Sequence, residues 1–175
     1  APQRLPATIR SRCQRIEFTV PEREAALVWL SSAGHPAARA AEALDAAQGH
    51  PGLADAWLRA GHLALRDTTL KEWAGVARGI NAPLGVAQLW MAEPDMAPLR
   101  LRFIADAAVA LACGIAGAPA VAGLTPPADV DKLAAWFDQL NRLRLQLSAP
   151  LKHELALAGL LAEWRGLMAT TETKR

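Results

Sequence analysis

Four proline-containing breaks constrain this chain more than any motif does. Gly34-His35-Pro36, Gly49-His50-Pro51-Gly52, Asn81-Ala82-Pro83 and Glu93-Pro94-Asp95 interrupt stretches dominated by Ala and Leu. Proline has no N–H and disfavours helical backbone in the residue before it, so a helix ends at each break and the next can begin with proline in its first turn. Between the breaks β-branched residues are few and apolar side chains recur at helical spacing. With 52% hydrophobic and 21% charged residues the balance is that of a globular protein, and the fold class expected is all-α.

One segment departs from this pattern. Arg15 to Val20 alternates polar and apolar residues, the period of a half-buried strand, and nothing later in the chain offers it a partner. Residues 1–18 therefore resemble a short extended remnant of a domain whose sheet is absent, and the chain is expected to be a fragment.

From Thr19 onward two helical units are expected. The first, 19–66, holds three short helices, with Thr19 and Glu22 at capping-box spacing and Ala26, Leu27 and Leu30 on one face. The second, 67–168, begins with another capping-box pair, Thr69 and Glu72, and the joint is expected near Leu65 to Thr68. Its five helices are placed near 69–80, 83–92, 96–116, 127–147 and 150–167, followed by a disordered tail at 169–175. In the helix at 127–147, Val130, Leu133, Phe137, Leu140 and Leu147 are expected to face the core. The chain has 6 Trp against 3 Phe and no Tyr, so indoles at helix contacts should supply most aromatic packing, and their N–H groups need partners when buried.

Charge and motif searches exclude several classes of activity. A net charge of +2 does not by itself demand a nucleic-acid partner, although Arg4, Arg10, Arg12 and Arg15 make the amino-terminal segment locally basic. Cys13 and Cys113 stand far apart and form neither a zinc spacing nor a disulfide scaffold, which fits a reducing cytoplasm. The most apolar window, Ile104 to Val121, contains Asp106, Gly114, Gly117 and Pro119, so a buried helix is expected there and no membrane span. No phosphate-binding glycine loop, dinucleotide fingerprint or nucleophile elbow occurs. His153-Glu154 opens like a zinc-protease helix, but Leu157 occupies the place of the second histidine. His35, His50 and His62 are expected to be surface or locally hydrogen-bonded groups. Paired acids such as Glu22/Glu24 and Asp129/Asp131 suit helix N-termini, and Met91, Met96 and Met168 suit core gaps. Neither a cofactor nor a metal site is assigned.

One run stands apart: Thr8-Ile9-Arg10-Ser11-Arg12-Cys13, just ahead of the strand-like segment. It resembles the Ser-Arg-Cys motif of bacterial DNA polymerase III clamp-loader subunits in the AAA+ ATPase family. There the arginine reaches into the ATP site of a neighbouring subunit, and Arg12 matches it, with Ser11 and Cys13 as the flanking motif residues. A guanidinium suits that task because it stays charged and presents a planar fork of donors to phosphoryl oxygens. The three-helix unit and the five-helix unit likewise resemble the lid and collar domains of this family. Gln48 to Asp55 resembles its sensor region, except that Gly52 stands where the ATP-binding subunits carry an arginine.

The resemblance implies a subunit without ATPase activity of its own. It would act as a stator, supplying an arginine finger in trans while its collar joins subunits of the gamma/tau and delta types. The assembled ring would place the sliding clamp on primed DNA, so clamp and DNA would be indirect partners of a cytoplasmic, non-membrane protein. An ATP-hydrolysing subunit of the gamma/tau type and an unrelated helical adaptor stay open as alternatives.

Overall fold

The computed structural model describes residues 18–113, 129–149 and 152–172, with positions 6, 8, 11, 12, 14 and 124 isolated between them. Among the described residues the protein is all-α, with eight helices and no strand. Helices α1 (Arg23–Ser32), α2 (Ala37–Ala46) and α3 (Pro51–Ala60) pack on one another. They are followed by α4 (His62–Ala77), α5 (Pro83–Met91), α6 (Ala97–Cys113), α7 (Val130–Gln146) and α8 (His153–Glu172). Each proline break separates two helices, and Pro51 and Pro83 open α3 and α5 as anticipated. Phe18, Thr19 and Val20 carry no secondary structure and are exposed; the rest of the strand-like segment lies outside the described residues.

Two apolar cores result. The smaller gathers Ala26, Leu30, Ala40, Leu44, Ala54 and Trp57 from α1–α3 with Leu63 of α4. The larger is built on Trp73, Trp90, Ile104, Trp136, Leu140, Leu157 and Trp164 from α4–α8. The cores divide between Leu63 and Leu70, yet the backbone does not break there, because α4 runs uninterrupted through Leu65 to Thr68. Thr69 is therefore not a cap. It is fully buried in mid-helix, where its hydroxyl donates to the Leu65 carbonyl at 2.7 Å, as Thr68 does to Ala64 at 3.0 Å. Hydroxyls bonded back to the preceding turn are compatible with a continuing helix, and packing on both cores overrides the local capping signal. The interruption falls earlier, at Gly61, whose φ of 70° ends α3 in the left-handed conformation and turns the chain into α4.

The first capping box fails as well: Glu22, not Thr19, occupies the N-cap of α1, with no side-chain capping bond. By contrast Asp129 caps α7, accepting from the Lys132 backbone N–H at 3.0 Å. On α7 the buried stripe is Leu133, Trp136, Leu140 and Leu143; Phe137 and Leu147 are only half-buried and Val130 is exposed. The stripe is rotated from expectation because the large indole of Trp136 takes the centre. Helix α8 continues past Met168, itself buried, into the stretch expected to be a disordered tail. No Gly or Pro interrupts Ala169 to Glu172, so nothing local ends the helix.

The cores are joined by more than α4. Phe103 of α6 is buried in the small core, edge-on to Trp57 with ring centroids 5.2 Å apart. The three-helix unit, too small to bury much area alone, thus borrows an aromatic side chain from the bundle. Trp73, Trp136 and Trp164 stack where α4, α7 and α8 meet, the closest pair at 4.1 Å. Indoles do serve helix contacts, except Trp29, which is about half exposed.

Candidate functional site

Arg12 sits in a turn ahead of α1 and is exposed, as is Ser11, whose hydroxyl donates to the Thr8 carbonyl at 3.2 Å. That bond is local, so it shapes the turn without engaging the Arg12 guanidinium. Cys13, like Ile9 and Arg10, lies outside the described residues. A charged group presented this way is accessible to a second molecule.

The second region singled out from sequence is the α2–α3 turn. Gly52 lies in the first turn of α3, exposed, and a Cβ built there would meet no atom within 4 Å. A longer side chain would therefore project into open space. One turn on, Asp55 is held from two sides: Arg59 Nε donates to it at 2.9 and 3.0 Å, and His35 Nε2 lies 2.6 Å from Oδ1. The Arg59 bonds, followed by the His35 contact, hold the Asp55 carboxyl below the usual carboxylate range. Because His35 sits in the α1–α2 connection, this cluster ties it to α3. His153 is also locally bonded, to the Ala149 carbonyl at 2.9 Å, while Leu157 is core. Among the described residues no group of three His, Cys, Asp or Glu side chains is placed to hold a metal ion. No helix among them is long and apolar enough to cross a membrane.

No family model and no curated protein matches this chain.

Sequence reasoning missed the most buried polar cluster. Arg100 of α6 is 5% exposed; it donates to Glu93 Oε2 at 2.8 Å and lies 3.5 Å from Glu72 Oε2. The same guanidinium is 3.4 Å from the Thr69 hydroxyl, and Trp90 donates to Glu72 Oε2 at 2.6 Å. These residues join α4, α5, the α5–α6 connection and α6. The available signal was an arginine inside the apolar run Pro98 to Ile104, with Trp90 needing an acceptor. The assignment of Glu72 to a helix cap concealed it. The cluster is structural in geometry, since every member faces another protein group.

The exposed large apolar side chains of the bundle lie outside α6. The Ala and Leu of α6 are mostly spent in the core, at Leu101, Ala105, Ala107, Ala108 and Leu111. The exposed apolar side chains of the bundle are instead Ile80, Leu84 and Leu89 around α5, Val130 and Leu145 of α7, and Leu155 of α8. From Ile80 to Ala92 the chain carries no charge at all, although only the face with Val86, Ala87 and Trp90 is buried.

Proposed function

We propose that the chain is a delta-prime-type subunit of the DNA polymerase III clamp loader, contributing its lid and collar and a short piece of the AAA+ core. The observation that carries this reading is the run Thr8 to Cys13 with Arg12 exposed ahead of the helical region. Three further observations support it. A three-helix unit precedes a larger bundle, as lid precedes collar. Gly52 leaves the position of the sensor arginine without a side chain, as suits a subunit that does not bind ATP. The uncharged, half-exposed helix α5 offers an apolar face of the kind subunit contacts require. In this reading the protein is a cytoplasmic stator without ATPase activity, its collar contacts gamma/tau- and delta-type subunits, and sliding clamp and primed DNA are engaged by the assembled ring.

Arg12 would act in trans. A guanidinium held beside a neighbour's ATP stabilises charge that develops on the transferring phosphoryl group, a contribution of about 10³- to 10⁵-fold in well-characterised nucleotide hydrolases. The test is Arg12→Ala in the assembled loader. Clamp-dependent ATP hydrolysis should fall while other sites retain turnover, clamp loading should fall more steeply, and the ring should stay assembled. Arg10→Ala removes the same charge from the same segment and should have little effect. Unchanged hydrolysis and loading with Arg12→Ala would reject the assignment, and equal losses from both variants would replace a positioned finger with general electrostatics.

A further inference from the structure

Helices α7 and α8 leave a groove between them of about 420 Å³, within the roughly 300–1,000 Å³ usual for small-molecule sites. Ala135, Trp136 and Gln139 line it from one face of α7, and Glu163, Gly166 and Leu167 line it from one face of α8. The space exists because each wall carries a small residue, Ala135 on one helix and Gly166 on the other; a Cβ built at Gly166 meets no atom within 4 Å. The floor is apolar. Trp136 is buried and Leu167 packs against the larger core. Because the Trp136 N–H is already bonded to the Leu160 carbonyl, the indole has no donor left for a ligand.

Two charged residues line this groove, and they are not equivalent. Lys132 is tied to the N-cap of α7, its Nζ 3.0 Å from Asp129 Oδ2, so a negative neighbour already offsets its charge. Glu163 makes no ion pair among the described residues. The positions three and four away from it along α8 are Gly159, Leu160, Gly166 and Leu167, none of them charged. The uncompensated charge at the groove is therefore negative. Gln139 adds an amide oxygen that can accept a hydrogen bond.

We propose that the groove binds a small organic cation, its ammonium group paired with Glu163 and Gln139 and its apolar body laid over Trp136 and Leu167 between Ala135 and Gly166. An ion pair at an exposed rim contributes little by itself, so apolar contact sets most of the affinity and Glu163 sets the preference for positive charge. An anionic ligand would meet the unpaired Glu163 carboxylate and find Lys132 already engaged. The site is independent of the clamp-loader reading, which rests on Arg12 and on the apolar face of α5.

The test titrates phenylbutylamine, phenylbutanol and phenylbutyrate, probes of one shape and different charge, into the isotope-labelled 175-residue chain at neutral pH and follows backbone amide shifts by NMR. The amine should bind saturably, in the millimolar range or tighter for a probe of this size, with shifts concentrated at 132–139 and 163–167. The alcohol should bind about two- to fivefold more weakly, the contribution of an exposed ion pair, and the butyrate more weakly still. Glu163→Gln should remove the preference for amine over alcohol and leave binding of the alcohol unchanged. Gly166→Leu replaces an exposed helical glycine with a better helix former, so it keeps the fold, and its side chain should fill the groove and eliminate binding of all three probes. An amine that gives no saturable shifts, shifts that lie outside α7 and α8, a neutral or acidic probe that binds as tightly as the amine, or a Gly166→Leu chain that binds like the unaltered one would overturn the proposal.

Discussion

The Trp90 indole donates to Glu72 Oε2 at 2.6 Å, and the same oxygen lies 3.5 Å from Arg100, so one carboxylate on α4 anchors both α5 and α6. Arg100 in turn holds Glu93 in the α5–α6 connection. Only the Arg100 side of these pairs is deeply buried, the Glu93 side chain being 55% and the Glu72 side chain 21% exposed, so removing the guanidinium costs chiefly its charge-assisted hydrogen bonds, about 1–3 kcal/mol. Arg100→Met should therefore lower the unfolding free energy by about that amount in urea denaturation. A change below about 1 kcal/mol would show that the cluster contributes little beyond packing.

The three stacked tryptophans differ in how their N–H groups are placed. Trp136 donates to the Leu160 carbonyl at 2.8 Å, whereas the buried Nε1 atoms of Trp73 and Trp164 have no acceptor among the described residues. Replacing Trp by Phe removes similar volume at each position but a hydrogen bond at only one. Trp136→Phe should therefore cost about 1 kcal/mol more than Trp164→Phe by denaturant titration. Equal losses would mean that packing alone sets the value of this stack.

Gly75 permits a close approach that no other residue would allow. A Cβ there would collide with the Asn81 amide, which donates to the Glu72 carbonyl at 3.0 Å, while the Gly75 carbonyl accepts from the Ile80 and Asn81 backbone N–H groups. Although alanine favours helices by about 1 kcal/mol over glycine, Gly75→Ala should not raise stability, because the Asn81 amide must swing away and give up its bond to the Glu72 carbonyl, a loss of about 1 kcal/mol or more. A rise in melting temperature would contradict this.

Acid should weaken the small unit through Asp55. Its folded pKa is depressed by Arg59 and then His35, so its contribution is present above the unfolded value of about 3.9 and is lost as pH falls through the lower folded value. Asp55→Asn should flatten that part of the stability–pH curve. Asp106 has the opposite sign: burial raises its pKa, so stability is greater when it is protonated and declines as pH rises from about 3.9 through the folded value. Asp106→Asn should remove that decline. Curves for the two variants that parallel the unaltered protein would refute both assignments.

What the sequence by itself determined is local. Proline breaks, the scarcity of β-branched residues and the Asp129 cap act through neighbouring backbone, so helix existence and most boundaries were legible from residues a few positions apart. The motif around Arg12 is equally local, a run of neighbouring residues read directly from the chain. Tertiary structure decided the rest. Whether Thr69 begins a helix or lies inside one depends on α4 being covered along both cores. Which face of α7 is buried depends on where the indoles of Trp73 and Trp164 leave room for Trp136. Glu72 and Arg100 meet only because particular helix faces are opposed, and distant pairings of that kind leave no periodic trace in the chain. Local propensity is worth tenths of a kcal/mol per residue, whereas burying an indole is worth several, so the larger contributions chose among the arrangements that the smaller ones allowed.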